Sequence, residues 1–331
     1  MPMRADVRIE WPRGGTGERA LRVTTAGAAG LLSTALLPAE SLYSAIMSAR
    51  NLAYDARLLR AHRVSMPVIS IGNIVAGGSG KTPMTRWLTD QLIARGRMPA
   101  ILHGGYGADE PRLHQQWHPD VPVISNRDRV AGARHAIERG ADVILLDDGF
   151  QHRRLARNLD IVLLAADESA SHLLPRGPGR EPLHALRRSS FVVITRKSAG
   201  PDHAVLLETK VHQTVPGVPT ARLHLSVNAP LTADPVVVVT AIARPDLLLA
   251  QLVQAGTNVQ TFLAYPDHYE YTSDDAALIA ARAADRLLVT TAKDAVKLRD
   301  LMPAQSLFVV EQRVVFESGE GDLLSAVDKI L

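Results

Sequence analysis

The sequence predicts an α/β fold: a parallel-sheet domain built around a phosphate-binding turn, a second, smaller α/β domain, and an amphipathic helix ahead of both. Two observations point there. Short, nearly continuous Val/Ile/Leu runs alternate with helical stretches, the pattern of parallel strands covered on both faces. One of these runs enters a glycine-rich turn that ends in Gly80, Lys81 and Thr82. The composition agrees, with 331 residues, 46% of them apolar and 21% charged, which suffices for two hydrophobic cores.

In chain order, residues 1–25 are polar, Arg-rich and aperiodic, and read as a flexible tail. Residues 26–63 read as a membrane-interfacial helical segment. Its apolar run, 26–37, falls short of the roughly 20 residues that span a bilayer. Arg19 and Arg22 precede that run, but Glu10 and Glu18 and the lack of a cleavage site argue against a secretory signal. Leu42, Tyr43, Ile46, Met47, Leu52 and Leu59 then recur at helical spacing among Arg50, Arg57, Arg60 and Arg63. A core domain is expected over 64–213, with strands at 67–71, 99–103, 121–125, 142–146, 160–164 and 191–195. Pro216, Gly217 and Pro219 interrupt the pattern. A smaller α/β domain follows over 214–331, with strands at 222–227, 236–240, 259–263, 286–290 and 306–310.

Composition narrows the function. Lys and Arg number 37 against 34 Asp and Glu, a net charge of +3, so no nucleic-acid partner is expected. The chain has no cysteine, which excludes a disulfide framework, a thiol nucleophile and cysteine-ligated metal.

The strongest local signal runs from Val68 to Pro83. A strand enters a turn containing Gly77, Gly78, Ser79 and Gly80, and Pro83 sits in the first turn of the helix that follows. Glycines let backbone N–H groups turn toward phosphate oxygens, Lys81 reaches the outer phosphates, and Thr82 can ligate Mg²⁺. This is a P-loop, NTPase-like, with Val75 where the usual pattern has its first glycine. A second run, 143–146, ends in Asp147 and Asp148, which places carboxylates at the carboxyl edge of the sheet, suited to a metal. On spacing alone, His114 and His118 read as surface residues. Arg153, Arg154 and Arg157 suit a solvated helix face or phosphate, and Lys293 with Asp294 suits a charged helix start or a base-reading pair.

Taken together, these residues resemble the tetraacyldisaccharide 4'-kinase family from about Leu42 onward. The resemblance rests on the turn from Ser70 to Pro83 and on the run Asp147–Arg157. It also rests on the Arg-Glu-Pro loop 175–183 and on Thr240–Pro245, Tyr265–His268 and Thr290–Leu298. It implies ATP and Mg²⁺, and as acceptor the 4'-hydroxyl of an acylated glucosamine disaccharide 1-phosphate in lipid A biosynthesis. It implies phosphate binding by Lys81 and Thr82, and metal or water positioning by Asp147, Asp148, Gln151 and Glu181. It points to Asp109 as catalytic base, partnered by His268, although alone Asp109 reads as a helix cap. The expected location is the cytoplasmic face of a bacterial inner membrane, held through the N-terminal helix, with no obligate protein partner. Two departures stand out: His103-Gly104 replaces the usual Ser-Arg before Gly-Tyr, and only Gly107 and Ala108 separate Tyr106 from Asp109. The alternatives are a P-loop GTPase or metallochaperone switch and a catalytically silent membrane-bound nucleotide sensor. Against the first, the chain lacks both an Asn-Lys-x-Asp element and cysteine ligands.

Overall fold

The computed structural model describes residues 7–12, 34–105, 109–167, 172–230, 232–302 and 307–331. In order, the elements are β1 (Arg8–Glu10), α1 (Leu37–Asp55), β2 (Val68–Asn73), α2 (Lys81–Ala94), β3 (Pro99–His103), α3 (Asp109–Trp117), β4 (Val123–Ser125) and α4 (Arg129–Glu138). They continue with β5 (Val143–Asp147), β6 (Leu159–Ala165), β7 (Phe191–Arg196), α5 (Pro201–Thr214), β8 (Thr220–Val227), β9 (Val236–Thr240), α6 (Pro245–Gln254) and β10 (Val259–Ala264). The last are α7 (Ser273–Ala283), β11 (Leu288–Thr291), α8 (Ala292–Leu301), β12 (Leu307–Val310), β13 (Gln312–Ser318) and α9 (Glu320–Asp328).

The chain forms two compact units: residues 1–29 with 226–313, and residues 30–225 with 314–331. The larger unit carries an eight-stranded sheet in the order β13-β8-β7-β6-β2-β5-β3-β4. β2 pairs in parallel with both β5 and β6, and the chain builds β3, β4 and β5 on one side of it before crossing to build β6, β7 and β8 on the other. That reversal opens a crevice at its carboxyl end, the usual ligand position in such sheets. β2, β3, β5 and β7 are buried almost throughout, which is why they read as unbroken apolar runs. On one face Met84, Leu88 and Leu92 of α2 pack with Leu323 and Val327 of α9. On the other face α4 contributes Val130, Ala133 and Ala136, and α5 contributes Ala204 and Val211.

The smaller unit has a five-stranded sheet in the order β1-β10-β9-β11-β12, with all four neighbouring pairs parallel. Three expectations need correction. The domain boundary does not fall at 213/214: Pro216 and Gly217 form only the turn between α5 and β8, and β8 is still a strand of the larger sheet. Residues 314–331 return to the larger unit, because Leu323 and Val327 are needed in its core. Within the expected tail, Arg8–Glu10 forms an edge strand on β10, and Arg282 fixes it through Glu10 at 2.9 Å.

α1 is amphipathic in an inverted sense. None of its residues is buried, and Leu42, Ile46 and Leu52 are 63%, 57% and 68% exposed. Its polar residues face the protein instead. The Tyr43 hydroxyl donates to the Arg180 carbonyl (3.0 Å), Arg50 donates to the Gln151 carbonyl (2.6 Å), and Asn51 donates to the Glu181 carboxylate (2.8 Å). No helix among the described residues is long and apolar enough to cross a membrane.

Candidate active site

The phosphate turn begins where β2 ends. Gly80 caps α2 with φ of 91°, a left-handed conformation that glycine adopts without strain, and a Cβ there would meet Leu225 at 2.6 Å. Glycine has no side chain with which to cap the helix, so the first-turn N–H groups of α2 are left for an anion rather than for a capping side chain. Ser79 is buried, and its hydroxyl accepts from Asn73 Nδ2 at 2.9 Å. Val75 needs no glycine because it makes an antiparallel bridge to Gly179, while the Ala76 N–H donates to the Pro178 carbonyl (2.7 Å). The Arg-Glu-Pro loop thus zips onto the first half of the turn and holds it open.

Beside this turn, β5 ends in Asp147, followed by Asp148 with φ of 57°, a left-handed residue without glycine's freedom. That conformation aims the Asp148 carboxylate at Lys81, 3.8 Å away, and at Arg180, 2.9 Å away. Gln151 Nε2 donates to the Asn73 carbonyl (2.8 Å) and to Glu181 (3.0 Å). Glu181 is buried and also accepts from Arg188 at 2.7 Å. Burial pushes the Glu181 carboxyl up, but Arg188, Asn51 and Gln151 outweigh it and hold the group below the ordinary carboxylate value.

Asp147 is buried against His114, whose Nε2 lies 3.2 Å from its Oδ2. Burial raises this carboxyl, and the hydrogen bond and charge of His114, with His103 and Lys81, lower it further, so it stays ionised. His114 and His118 are therefore not surface residues. His114 is fully buried under Asp147, and His118 Nε2 pairs with Asp90 at 2.8 Å. The spacing of Asp109, Leu113 and His114 was the available signal, since i, i+4 and i+5 share one helix face and all three are buried.

Asp109 is the first residue of α3 and is 2% exposed. The next residue, Glu110, bonds His103 Nε2 at 2.8 Å, and the Gly105 N–H donates to His103 Nδ1 at 3.2 Å. His103 thereby bolts the end of β3 to the first turn of α3. Burial lowers the His103 pKa, but Glu110 and Asp147 raise it above the ordinary value on balance. His103, Glu110 and Asp147 each offer a ligand atom within 4.8 Å of the others. Tyr106, Gly107 and Ala108 lie outside the described residues.

Of the three arginines singled out in the sequence, Arg153 pairs with Asp55 at 2.5 Å, Arg154 with Asp128 at 3.1 Å and Arg157 with Asp160 at 2.9 Å. In the smaller unit, His268 has φ of 59° and lies 3.3 Å from Lys293 Nζ, which also pairs with Asp267 at 3.2 Å. Asp294 faces inward. It is fully buried and accepts from Thr240, Thr291, Tyr271 and the Ala241 N–H, an interior knot that leaves it nothing with which to read a base.

The hard oxygen donors Thr82, Asp147 and Asp148 suit Mg²⁺, and the uncapped N–H groups of α2 with Lys81 suit a polyphosphate. Comparison with known proteins gives the same chemistry. The profile of LpxK, described as tetraacyldisaccharide-1-P 4'-kinase, matches residues 32–331. A tetraacyldisaccharide 4'-kinase from an Anaeromyxobacter species is 37% identical, covering 91% of this chain and 92% of that protein. One from Bdellovibrio bacteriovorus is 32% identical, covering 89% and 98%. The crystal structure of LpxK from Aquifex aeolicus in complex with ATP aligns with a TM-score of 0.73 and 28% identity, covering 90% of this chain and 99% of that one.

Proposed function

Because this chain belongs to the tetraacyldisaccharide-1-P 4'-kinase family, it is an ATP-dependent kinase of the lipid A precursor, and we propose how its residues share the reaction. The observation that carries the assignment is the convergence of Lys81 and Asp148, 3.8 Å apart, at the glycine-capped start of α2 beside the ionised Asp147. The γ-phosphate passes from ATP to the 4'-hydroxyl of an acylated glucosamine disaccharide 1-phosphate. Gly77, Gly78, Ser79 and Gly80 cradle the phosphates, and Pro83 sets the helix entry. Lys81 neutralises charge that builds on the transferred group, where positioning and electrostatics carry nearly all of the catalysis.

Thr82, Asp147 and Asp148 would hold Mg²⁺, which would supply charge screening at the phosphate oxygens, and Gln151 and Glu181 would help position the metal or water there. Asp109 accepts the acceptor's hydroxyl proton, because a sugar hydroxyl is a poor nucleophile until its proton has somewhere to go. Its burial beside the His103–Glu110 pair supports a fixed carboxylate for that task. The part assigned to His268 rests on the resemblance of Tyr265–His268 to the family.

The acceptor is a lipid, and α1 supports a peripheral position on the cytoplasmic face of the inner membrane. Leu42, Ile46 and Leu52 are exposed on it, and Arg57, Arg60 and Arg63 follow it, all exposed and suited to anionic headgroups. The test is transfer of labelled γ-phosphate to a purified lipid disaccharide 1-phosphate. Asp109→Ala is expected to lose turnover about a hundredfold or more while keeping ATP affinity, and His268→Ala to lose less. Wild-type turnover in Asp109→Ala would remove that base. Replacing Leu42, Ile46 and Leu52 by Ser should abolish co-flotation with phosphatidylglycerol vesicles, and retained flotation would refute the membrane role of α1.

A further inference from the structure

The strand order fixes which way a nucleotide lies in the turn. Lys81, Asp147 and Asp148, which handle the outer phosphates, gather on the β5 side of β2. A triphosphate with its γ end there sends its nucleoside the opposite way, toward the carboxyl ends of β6, β7 and β8. At that end stands Lys197, the residue after β7, which neither the phosphate motif nor the acidic cluster contains. Its Nζ lies 3.0 Å from the point a Cβ on Gly78 would occupy, so the ammonium rests on the backbone of the turn. Lys197 thus rests on the same loop whose last residues lead into Lys81.

The segment that presents Lys197 is built rather than incidental. The Asp167 carboxylate, just past the end of β6, accepts from the N–H groups of Lys197 (2.6 Å), Ser198 (2.8 Å) and Ala199 (2.7 Å) and from the Ser198 hydroxyl (2.9 Å). Burial raises this carboxyl, and those four hydrogen bonds outweigh it and keep it below the ordinary value. The Thr195 hydroxyl ties the end of β7 to the turn by donating to the Ser79 carbonyl at 2.9 Å. Leu225 of β8 closes against Gly80 on the same side.

We propose that Lys197, held by Asp167 and laid across Gly78, binds the ribose oxygens of ATP, so that the 197–199 turn forms the nucleoside wall of the site. The inference rests on ATP occupying the phosphate turn. A lysine in that place donates a charge-assisted hydrogen bond to nucleotide oxygens that inorganic tripolyphosphate does not present in the same place.

The test compares binding of ATP and of inorganic tripolyphosphate, each with Mg²⁺, to the wild type and to Lys197→Met by calorimetry. Lys197→Met should weaken ATP about tenfold, the scale of one charge-assisted hydrogen bond, and tripolyphosphate less than about threefold. In lipid phosphorylation its KM for ATP should rise more than its kcat falls, and Lys197→Arg should recover most of the loss. Unchanged ATP affinity would overturn the proposal. So would equal weakening of both ligands, which would mean that Lys197 only props the loop. If Lys197→Met fails to fold, Lys197→Gln is put to the same comparison. A wild type that binds no ATP would instead sink the kinase reading, so the two failures are distinguishable.

Discussion

Asp147 and Asp294 both lie buried at the carboxyl edge of a parallel sheet, the first ending β5 of the larger unit and the second in the opening turn of α8 in the smaller one. Their surroundings differ in charge. Asp147 faces His114, with His103 and Lys81 nearby, and these outweigh the effect of burial and lower its pKa. Asp294 is surrounded by neutral donors, the hydroxyls of Thr240, Thr291 and Tyr271 and the Ala241 N–H, and burial prevails, raising its pKa. The same residue at the carboxyl edge of two sheets is thus kept ionised in one and tied into a structural knot in the other. Position brings a carboxylate to the ligand edge of a sheet, and neighbouring cations keep it ionised enough to work there.

Four measurements can break or sharpen that contrast. The largest effect is expected from Lys81→Ala, which removes one of the two cations paired with Asp148 and should lower phosphoryl transfer about a thousandfold or more with the fold intact by circular dichroism. Near-normal turnover in a folded Lys81→Ala protein would end the assignment. Asp294→Ala strands three hydroxyls and an N–H in the interior, and should cost about 2–4 kcal/mol in urea unfolding. A loss below about 1 kcal/mol would show that the knot is not structural.

The third measurement is the acid side of the stability profile. The folded pKa of Asp147 lies below its unfolded value, so its contribution is present above that value and disappears as the pH falls through the folded pKa. Asp294 has the opposite sign: its folded pKa is raised, so the folded state holds its proton longer and stability falls as the pH rises from the unfolded toward the folded value. Asp147→Asn and Asp294→Asn should therefore change the acid slope in opposite directions, and changes of the same sign would refute the contrast. The smallest effect concerns His152, whose pKa is lowered to about 4 by burial and by Arg129, with Arg50 and Arg157 also contributing. Its unfolded form takes up a proton first, so stability should decline as the pH falls from about 6.5 toward 4, and His152→Gln should flatten that part of the curve.

Much of this was legible in the sequence for one reason: the central strands of both sheets are buried on two faces and read as apolar runs. β13 escaped because it alternates between half-buried and exposed residues, with Arg313, Glu317 and Gln312 among them. β1 escaped because Arg8, Ile9 and Glu10 form a partly exposed three-residue edge with no periodicity to detect. The phosphate turn and the Asp147–Asp148 pair were legible because local chemistry demands those residues in that order. His103 and His114 were not, because what matters about them is a partner 7 or 33 residues away that only packing brings close. The orientation of α1 was open in the sequence, since a stripe of Leu and Ile predicts an interface without saying whether protein or lipid covers it.

The nesting of the two units bears on the order in which the molecule can assemble during synthesis. The larger unit is begun before most of the smaller one, residues 226–313, and is completed after it, because Leu323 and Val327 seal a core whose other members start at Ile69. The smaller unit likewise recruits Arg8–Glu10 to pair with β10, some 250 residues later. A chain emerging from the ribosome therefore carries an unfinished apolar face through most of its length, and such a face is an aggregation hazard until distant segments arrive. Residues 226–313, by contrast, contain β9 to β12 and the helices between them, so all but the edge of that sheet can form while the larger core still waits.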